Sequence, residues 1–267
     1  MTQTTLHHTQ PPALPSVAKA LLPRALGAGL AGGVVLAMTM MVVMAAVGQG
    51  FWSPLNLGIS AFVYTIAPPL VMLPSLMAAM GISLPAATMS QLSGAIASGH
   101  ISSAMAKQLG TMLMSMHVPA AKVQLMGQLM MGHATNSTVS QLLEGMPSSA
   151  RNAVMVAMPI DSGRVVVGLV LHMMMSLLLG VSFAAVILGA RQAGISVLRT
   201  RAGVIGASML GGMIVYVLMR WVLLPPTNSM MAFVPQLWFF IAHLMFGLIV
   251  GTILAPVLTD NPAKSAR

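Results

Sequence analysis

Residues 165–190 read VVVGLVLHMMMSLLLGVSFAAVILGA, and residues 237–258 read LWFFIAHLMFGLIVGTILAPVL. A bilayer-spanning helix needs about 20 mostly apolar residues, and both stretches exceed this length without a charged side chain. Each contains one histidine, followed four residues later by a small residue and eight residues later by glycine. We therefore predict two membrane-spanning helices that carry the same polar group at the same place.

The composition excludes a water-soluble globular domain. Only 6% of the 267 residues are charged and 57% are hydrophobic, whereas soluble domains carry about 25% charged residues. The chain has no cysteine, which excludes disulfides and thiolate metal ligands. Its three acidic residues, Glu144, Asp161 and Asp260, lie outside all predicted spans. This excludes a pair of carboxylates that acts within the membrane.

Two further spans are predicted at residues 26–47 and 203–224. Basic residues flank one end of the four spans, and an uncharged link at 225–236 lies at the other end. The basic residues are Lys19, Arg24, Arg191, Arg199, Arg201, Lys264 and Arg267. Because such residues mark the cytoplasmic side, we predict four crossings of the bacterial inner (plasma) membrane, with both termini cytoplasmic. This orientation explains the net charge of +9 without a nucleic-acid partner.

Residues 55–82 are apolar enough for a fifth crossing, but Pro54 precedes them, and they are interrupted by Pro68, Pro69 and Pro74. Proline breaks a helix interior, so we predict a re-entrant or interfacial segment, with a full crossing as the alternative. The predicted fold is an all-α integral membrane protein with four transmembrane helices, this segment, and an extracytoplasmic insert of short helices. Its parts are a disordered cytoplasmic tail (1–24), the first span and outer turn (25–54), the apolar segment (55–82), the Met- and His-rich insert (83–163), three further spans (164–258) and a cytoplasmic tail (259–267).

The four spans form two similar pairs, which predicts two parallel pseudo-repeats. The first span contains GAGLAGG at 27–33 and the third contains GASMLGG at 206–212, while the second and fourth contain the histidine motifs. Small residues spaced by four let membrane helices approach closely. We therefore predict packing roles for Gly29, Gly33, Ser176, Gly180, Ser208, Gly212, Gly247 and Gly251.

The insert has a shorter repeat, in which Gln-Leu begins at Gln91, Gln108, Gln124 and Gln141. This spacing suits a short helix followed by a tight turn, and it predicts four short helices packed as hairpins. His100, His117 and His133 each follow a Gln by nine residues. Histidine near a helix C-terminus complements the helix dipole, so these positions require no metal.

No metal site is assigned firmly, and no cofactor is predicted. The candidates for a copper or zinc site are His172, His243, His117, His133, Met112, Met114 and Met116, because thioethers select Cu(I) and imidazole suits copper or zinc. The alternative for His172 and His243 is that both are neutral imidazoles, hydrogen-bonded to each other, to Ser176 or to a backbone carbonyl. The alternative for the 28 methionines is a flexible apolar filler, since methionine occurs in every predicted span.

Three pieces resemble a loose group of uncharacterised four-span proteins of bacterial inner membranes. They are the Gly-Gly first helix that runs into GQGFWSP at 48–54, the helix with His172, and the FFIAHLMFG stretch at 239–247. The resemblance covers about half the chain and implies a compact four-span bundle. It implies no activity, and the long Met-rich insert departs from it.

These observations predict a structural or interaction component of the membrane rather than an enzyme. No phosphate-binding motif and no His-Glu-x-x-His motif is present. The expected partners are the lipid bilayer and either a membrane protein or a second copy of the chain. The alternative is a small-solute or ion transporter or channel that acts as a homo-oligomer and handles a transition metal.

Overall fold

A computed structural model of the chain describes residues 14–58, 70–134, 136–156, 162–223 and 234–259, and all regular structure in these ranges is helical. The helices are α1 (Leu14–Ala46), α2 (Ser53–Gly58), α3 (Leu73–Ala79), α4 (Ala86–Ala97), α5 (Ser103–Ser115), α6 (Ala120–Met130), α7 (Asn136–Leu143), α8 (Ser148–Val156), α9 (Ser162–Gln192), α10 (Arg201–Val217) and α11 (Gln236–Thr259). Short 3₁₀ turns occupy Leu70–Met72 and Ser196–Arg199, and α10 continues as a π-helical segment at Leu218–Leu223.

Four helices are long and apolar enough to cross a membrane: α1, α9, α11, and α10 with its π-helical continuation. Their exposed surface is apolar as well. On α1, every fourth residue exposes a large apolar side chain, at Leu22, Leu26, Leu30, Val34, Met38 and Val42. Such a contiguous apolar stripe is unusual on a soluble monomer and suits contact with lipid. The four predicted spans are confirmed as apolar helices, compatible with an integral membrane protein.

Helix α1 begins earlier than the sequence indicated. Residues 14–24, predicted as part of a disordered tail, belong to this helix. Alanine, leucine and lysine favour helix here, and Pro15 lies in the first turn, where its missing N–H costs no hydrogen bond. The rest of the predicted N-terminal tail, the C-terminal tail beyond Thr259 and the centre of the 55–82 segment lie outside the described residues.

The chain divides into two compact units. The first contains α1 up to Val34, Met173–Gly212, and the chain from Leu244 onward. Within it, α1 lies against α9 around Gly29 and Gly180, and α10 lies against α11 around Ser208 and Gly247. As the contacts advance along one helix of a pair, they move backward along the other: Gly29 lies against Ser176, whereas the earlier Ala25 lies against Gly180. The contacts of α10 with α11 show the same order, so both helix pairs are antiparallel.

The second unit contains Val35–His172 and Met213–His243, and it is built around one hydrophobic core. Helix α6 packs against α3, α5 and α7, and α3 also packs against α8. Side chains that share the core include Met40, Met44, Leu73, Leu76, Leu92, Leu109, Leu113, Met126, Leu129, Leu142, Val154, Phe239 and Ala242. The insert therefore shares its core with residues of α1 and α11.

The insert has five short helices among its described residues, so the prediction of four is wrong by one. The four Gln-Leu pairs lie in α4, α5, α6 and α7, whereas α8 has none. Helix α8 begins directly after Pro147, a residue that is common at helix starts because its missing N–H needs no partner there. Proline at this position was the sequence signal for the additional helix.

Candidate functional site

His243 is a deeply buried polar side chain of α11, with 4% of its surface exposed. Its Nδ1 lies 2.7 Å from the carbonyl oxygen of Phe239, one helical turn earlier. A carbonyl oxygen only accepts hydrogen bonds, so Nδ1 carries the proton and donates it. In the neutral form of this tautomer, the lone pair lies on Nε2.

Two aromatic rings contact this imidazole. The Phe239 ring lies 4.5 Å from the His243 ring and the Tyr216 ring lies 5.9 Å away, both edge to face. Tyr216 also makes edge-on contacts with Phe240 and Trp221. Such contacts are favourable because the positive edge of one ring meets the negative face of another. They connect α10 to α11 and hold His243 in an apolar environment.

His172 lies on α9 and is half-buried. Both histidines of the repeated motif belong to the second unit.

The Met and His candidates of the insert are not gathered into one group. His117 follows α5, and His133 follows α6. The 11 residues of α6 between them span about 16 Å at 1.5 Å per residue, too far for the two imidazoles to bind one ion. Met112, Met114 and Met116 belong to the His117 end, where Met114 is 61% exposed.

The three insert histidines also differ in backbone position. Helices α4, α5 and α6 each end in a residue of positive φ, and the next N–H bonds back to a carbonyl five residues earlier. The residue of positive φ is Gly99 after α4 and Gly132 after α6, but His117 after α5. His100 and His133 follow such a residue, whereas His117 is one. The left-handed conformation of His117 costs about 1–2 kcal/mol for an L-residue. The three histidines that follow a Gln by nine residues therefore do not occupy equivalent backbone positions.

Six of the eight predicted packing residues lie where helices touch in the first unit. The residues concerned are Gly29, Ser176, Gly180, Ser208, Gly247 and Gly251. A methyl group added to Gly29 would overlap the carbonyl oxygen of Ser176 and would lie 3.1 Å from Gly180 Cα. One added to Gly247 would overlap the carbonyl oxygen of Ser208. Gly33 and Gly212, the other two predicted packing positions, are buried.

Two glycines with a similar role escaped the sequence analysis. The side of α1 at Gly32 accommodates the ring of Phe246, which is fully buried, and the side of α10 at Gly211 accommodates the ring of Phe183. The two rings meet edge to face with centroids 5.9 Å apart. The sequence signal for these two positions was the pairing of adjacent glycines, Gly32 with Gly33 and Gly211 with Gly212. Adjacent residues of a helix face different directions, so each pair leaves room for two neighbouring helices.

A polar contact in the second unit also went unpredicted. The amide of Asn152 in α8 donates to the carbonyl oxygen of Val47, just after α1, at 2.7 Å. Its oxygen accepts a hydrogen bond from the buried Gln49 amide, also at 2.7 Å. One asparagine thus satisfies a free carbonyl beyond the C-terminus of a spanning helix and orients a buried side chain.

In the described ranges, no three His, Cys, Asp or Glu side chains lie close enough together to hold a metal ion. Comparisons of the chain with protein families, curated proteins and solved structures give no match. The resemblance to four-span inner-membrane proteins stays a prediction.

Proposed function

We propose that the chain is a multi-pass protein of the bacterial plasma membrane whose insert is an interaction module outside the cytoplasm. Its partner is a membrane protein or a second copy of the chain. The observation that carries this proposal is the core that the insert shares with Met40, Met44, Phe239 and Ala242 of the spanning helices. Such a core holds the module rigidly on the spans, as a docking surface requires.

The antiparallel packing of the first unit supports the proposed orientation. It places the start of α1 beside the end of α9, and the start of α10 beside the end of α11. These ends carry the exposed basic residues Arg24, Arg199 and Arg201, which favour the cytoplasmic side. Because α1 and α9 are antiparallel, the chain between them starts and ends on one side, which supports a non-crossing 55–82 segment.

The same contacts support two parallel repeats, α1 with α9 and α10 with α11. Gly29 and Ser208 hold matching positions in the GAGLAGG and GASMLGG stretches, and Gly180 and Gly251 end the two histidine motifs. Gly29 meets Gly180, and Ser208 meets Gly251. Duplicated helix pairs of this kind have a symmetry axis along the membrane normal.

A structural role fits the interior of the first unit better than transport does. The rings of Phe183 and Phe246 meet there, and backbones touch at Gly29 and Gly247. A path for solute through one chain would have to displace these contacts. We also infer that the chain is not an enzyme, because its three acidic residues lie outside the spans and it has no cysteine nucleophile.

The orientation can be tested by cysteine labelling, because the chain has no native cysteine. Gln108→Cys and Gln192→Cys place one thiol on the exposed surface of α5 and one at the exposed end of α9. In spheroplasts, a membrane-impermeant maleimide should label only the α5 cysteine, and permeabilisation should expose the other. Labelling of the α9 cysteine in intact spheroplasts would reverse the proposed orientation.

The interaction role can be tested by photo-crosslinking in living cells. A benzoylphenylalanine residue at Met114 would report on the exposed surface of the insert, and one at Val186 of α9, 70% exposed, would report on lipid. We expect a discrete protein adduct at Met114, identified by mass spectrometry, and none at Val186. If neither Met114 nor Met131, which is 43% exposed, gives an adduct, the interaction role is wrong.

A further inference from the structure

Three arginines occur at the link between the spanning helices α9 and α10. Residues 191–201 read RQAGISVLRTR. Arg191 lies in the last turn of α9, Arg199 lies in the link, and Arg201 begins α10. Arg199 and Arg201 are exposed, and Arg191 is half-buried. No acidic residue occurs anywhere from 162 to 259, so the link is strongly basic.

Two exposed apolar side chains lie between these arginines in the sequence. Ile195 is 47% exposed and Val197 is 59% exposed, whereas Leu198 is buried and attaches the link to its own unit. Apolar side chains next to cationic ones are typical of segments that lie in a membrane interface. There the apolar groups reach the boundary of the acyl chains, and the charged ends of the arginines stay among the headgroups.

Hydrogen bonds fix the backbone of this link. Helix α9 ends before Gly194, whose φ is +89°, and the next N–H donates to a carbonyl five residues earlier at 3.1 Å. The hydroxyl of Thr200 donates to the carbonyl oxygen of Val197 at 2.9 Å and accepts from the N–H of Gly203 at 3.0 Å. Thr200 therefore caps α10. Because the backbone is already ordered, a ligand that binds this link pays little of the usual ordering cost.

We propose that the link between α9 and α10, with its three arginines, binds an anionic phospholipid. The guanidinium groups bind the phosphate, and Ile195 and Val197 contact the acyl chains. A soluble phosphate would leave those two side chains without a partner, which favours a lipid. In the proposed orientation the link lies in the cytoplasmic leaflet, whose anionic lipids attract basic segments. The proposal rests on the proposed membrane location, but it is independent of the interaction role of the insert.

The test places a bimane fluorophore on Ser196→Cys, an exposed position of the link in a full-length chain that has no other cysteine. In dodecyl maltoside micelles, brominated phosphatidylglycerol should quench this fluorophore at a lower concentration than brominated phosphatidylcholine does. An arginine near an anionic surface contributes about fivefold in affinity. The double variant Arg199→Gln and Arg201→Gln should therefore weaken phosphatidylglycerol binding by about 25-fold. Lys107→Gln with Lys122→Gln removes the same charge from the insert and should not change it.

Three results would overturn the proposal. One is equal quenching by the two lipids, which would show that the link contacts lipid without selecting its charge. Another is unchanged phosphatidylglycerol binding in the arginine variant, whose fold is verified by helical circular dichroism and elution volume. The third is relief of quenching by glycerol phosphate at the concentration of the lipid, which would assign the site to a free phosphate. The assay reports on the link alone and requires no partner of the insert, so its failure would leave the photo-crosslinking test at Met114 unaffected.

Discussion

Replacing Gly180 by alanine should destabilise the membrane bundle. The new methyl group would lie 2.6 Å from Gly29 Cα and 2.7 Å from Gly29 N, whereas nonbonded carbon atoms prefer about 3.5–4.0 Å. Helices α1 and α9 would have to separate by about 1 Å, which forfeits a quarter to a half of the dispersion energy of each contact between them. Overpacked sites of this kind cost about 1–3 kcal/mol.

The higher helix propensity of alanine offsets part of this cost, by about 0.5–1 kcal/mol. We therefore expect a net loss of about 1 kcal/mol in the free energy of unfolding, within a range of about 0–2.5 kcal/mol. Gly189→Ala is the matched control, because this glycine lies on the same helix and an added methyl would meet nothing within 4 Å. The control should leave stability unchanged or raise it slightly.

The assay is unfolding in mixed micelles, followed by circular dichroism as the mole fraction of sodium dodecyl sulfate increases. Gly180→Ala should unfold at a lower fraction of this detergent than wild type, and Gly189→Ala should not. Equal free energies of unfolding for the two variants would refute the reasoning, because they would show that α1 and α9 do not touch at Gly180.

Two further changes test the second unit by thermal unfolding in detergent. Asn152→Ala should cost about 2–3 kcal/mol, because it leaves the buried amide of Gln49 without its acceptor. The exposed Gln108→Ala should change stability by less than about 0.5 kcal/mol; an equal effect of the two would contradict the structural role of Asn152. His117→Gly should raise stability by about 1 kcal/mol, because glycine adopts the left-handed conformation without steric cost. His133→Gly lacks this benefit, and an equal gain there would show that backbone strain is not the cause.

The spanning helices could be predicted from the sequence because their signal is local. A run of 20 or more uncharged and mostly apolar residues, as at 165–190, leaves few alternatives to a membrane-spanning helix. The short helices of the insert are harder to predict, since their helical pattern is brief and their ends depend on turns. His117 shows the difficulty, because nothing in its neighbours indicates that it, and not a glycine, takes the left-handed position.

The site was predictable only in part for a related reason. The repeated motif singled out His172 and His243, and the spacing of small residues predicted packing roles for Gly29 and Gly180, which meet in the structure. The bond from Asn152 to Val47 joins residues more than 100 positions apart. Such pairs leave no periodic trace in one sequence, because each partner is an ordinary polar residue in its own segment.

The composition of the second core has a consequence for the order of biosynthesis. Met40 and Met44 are made early, whereas Phe239 and Ala242, which complete the same core, belong to the last spanning helix. In the proposed orientation, the ribosome delivers the insert across the membrane before the helix that completes its core exists. During that interval the insert depends on its own end turns and helix contacts, with unburied methionines exposed to chaperones and proteases. Folding of the insert is therefore linked to membrane insertion of α11. A chain arrested before Gln236 would lack Phe239 and Ala242 of this core and would be more susceptible to proteases.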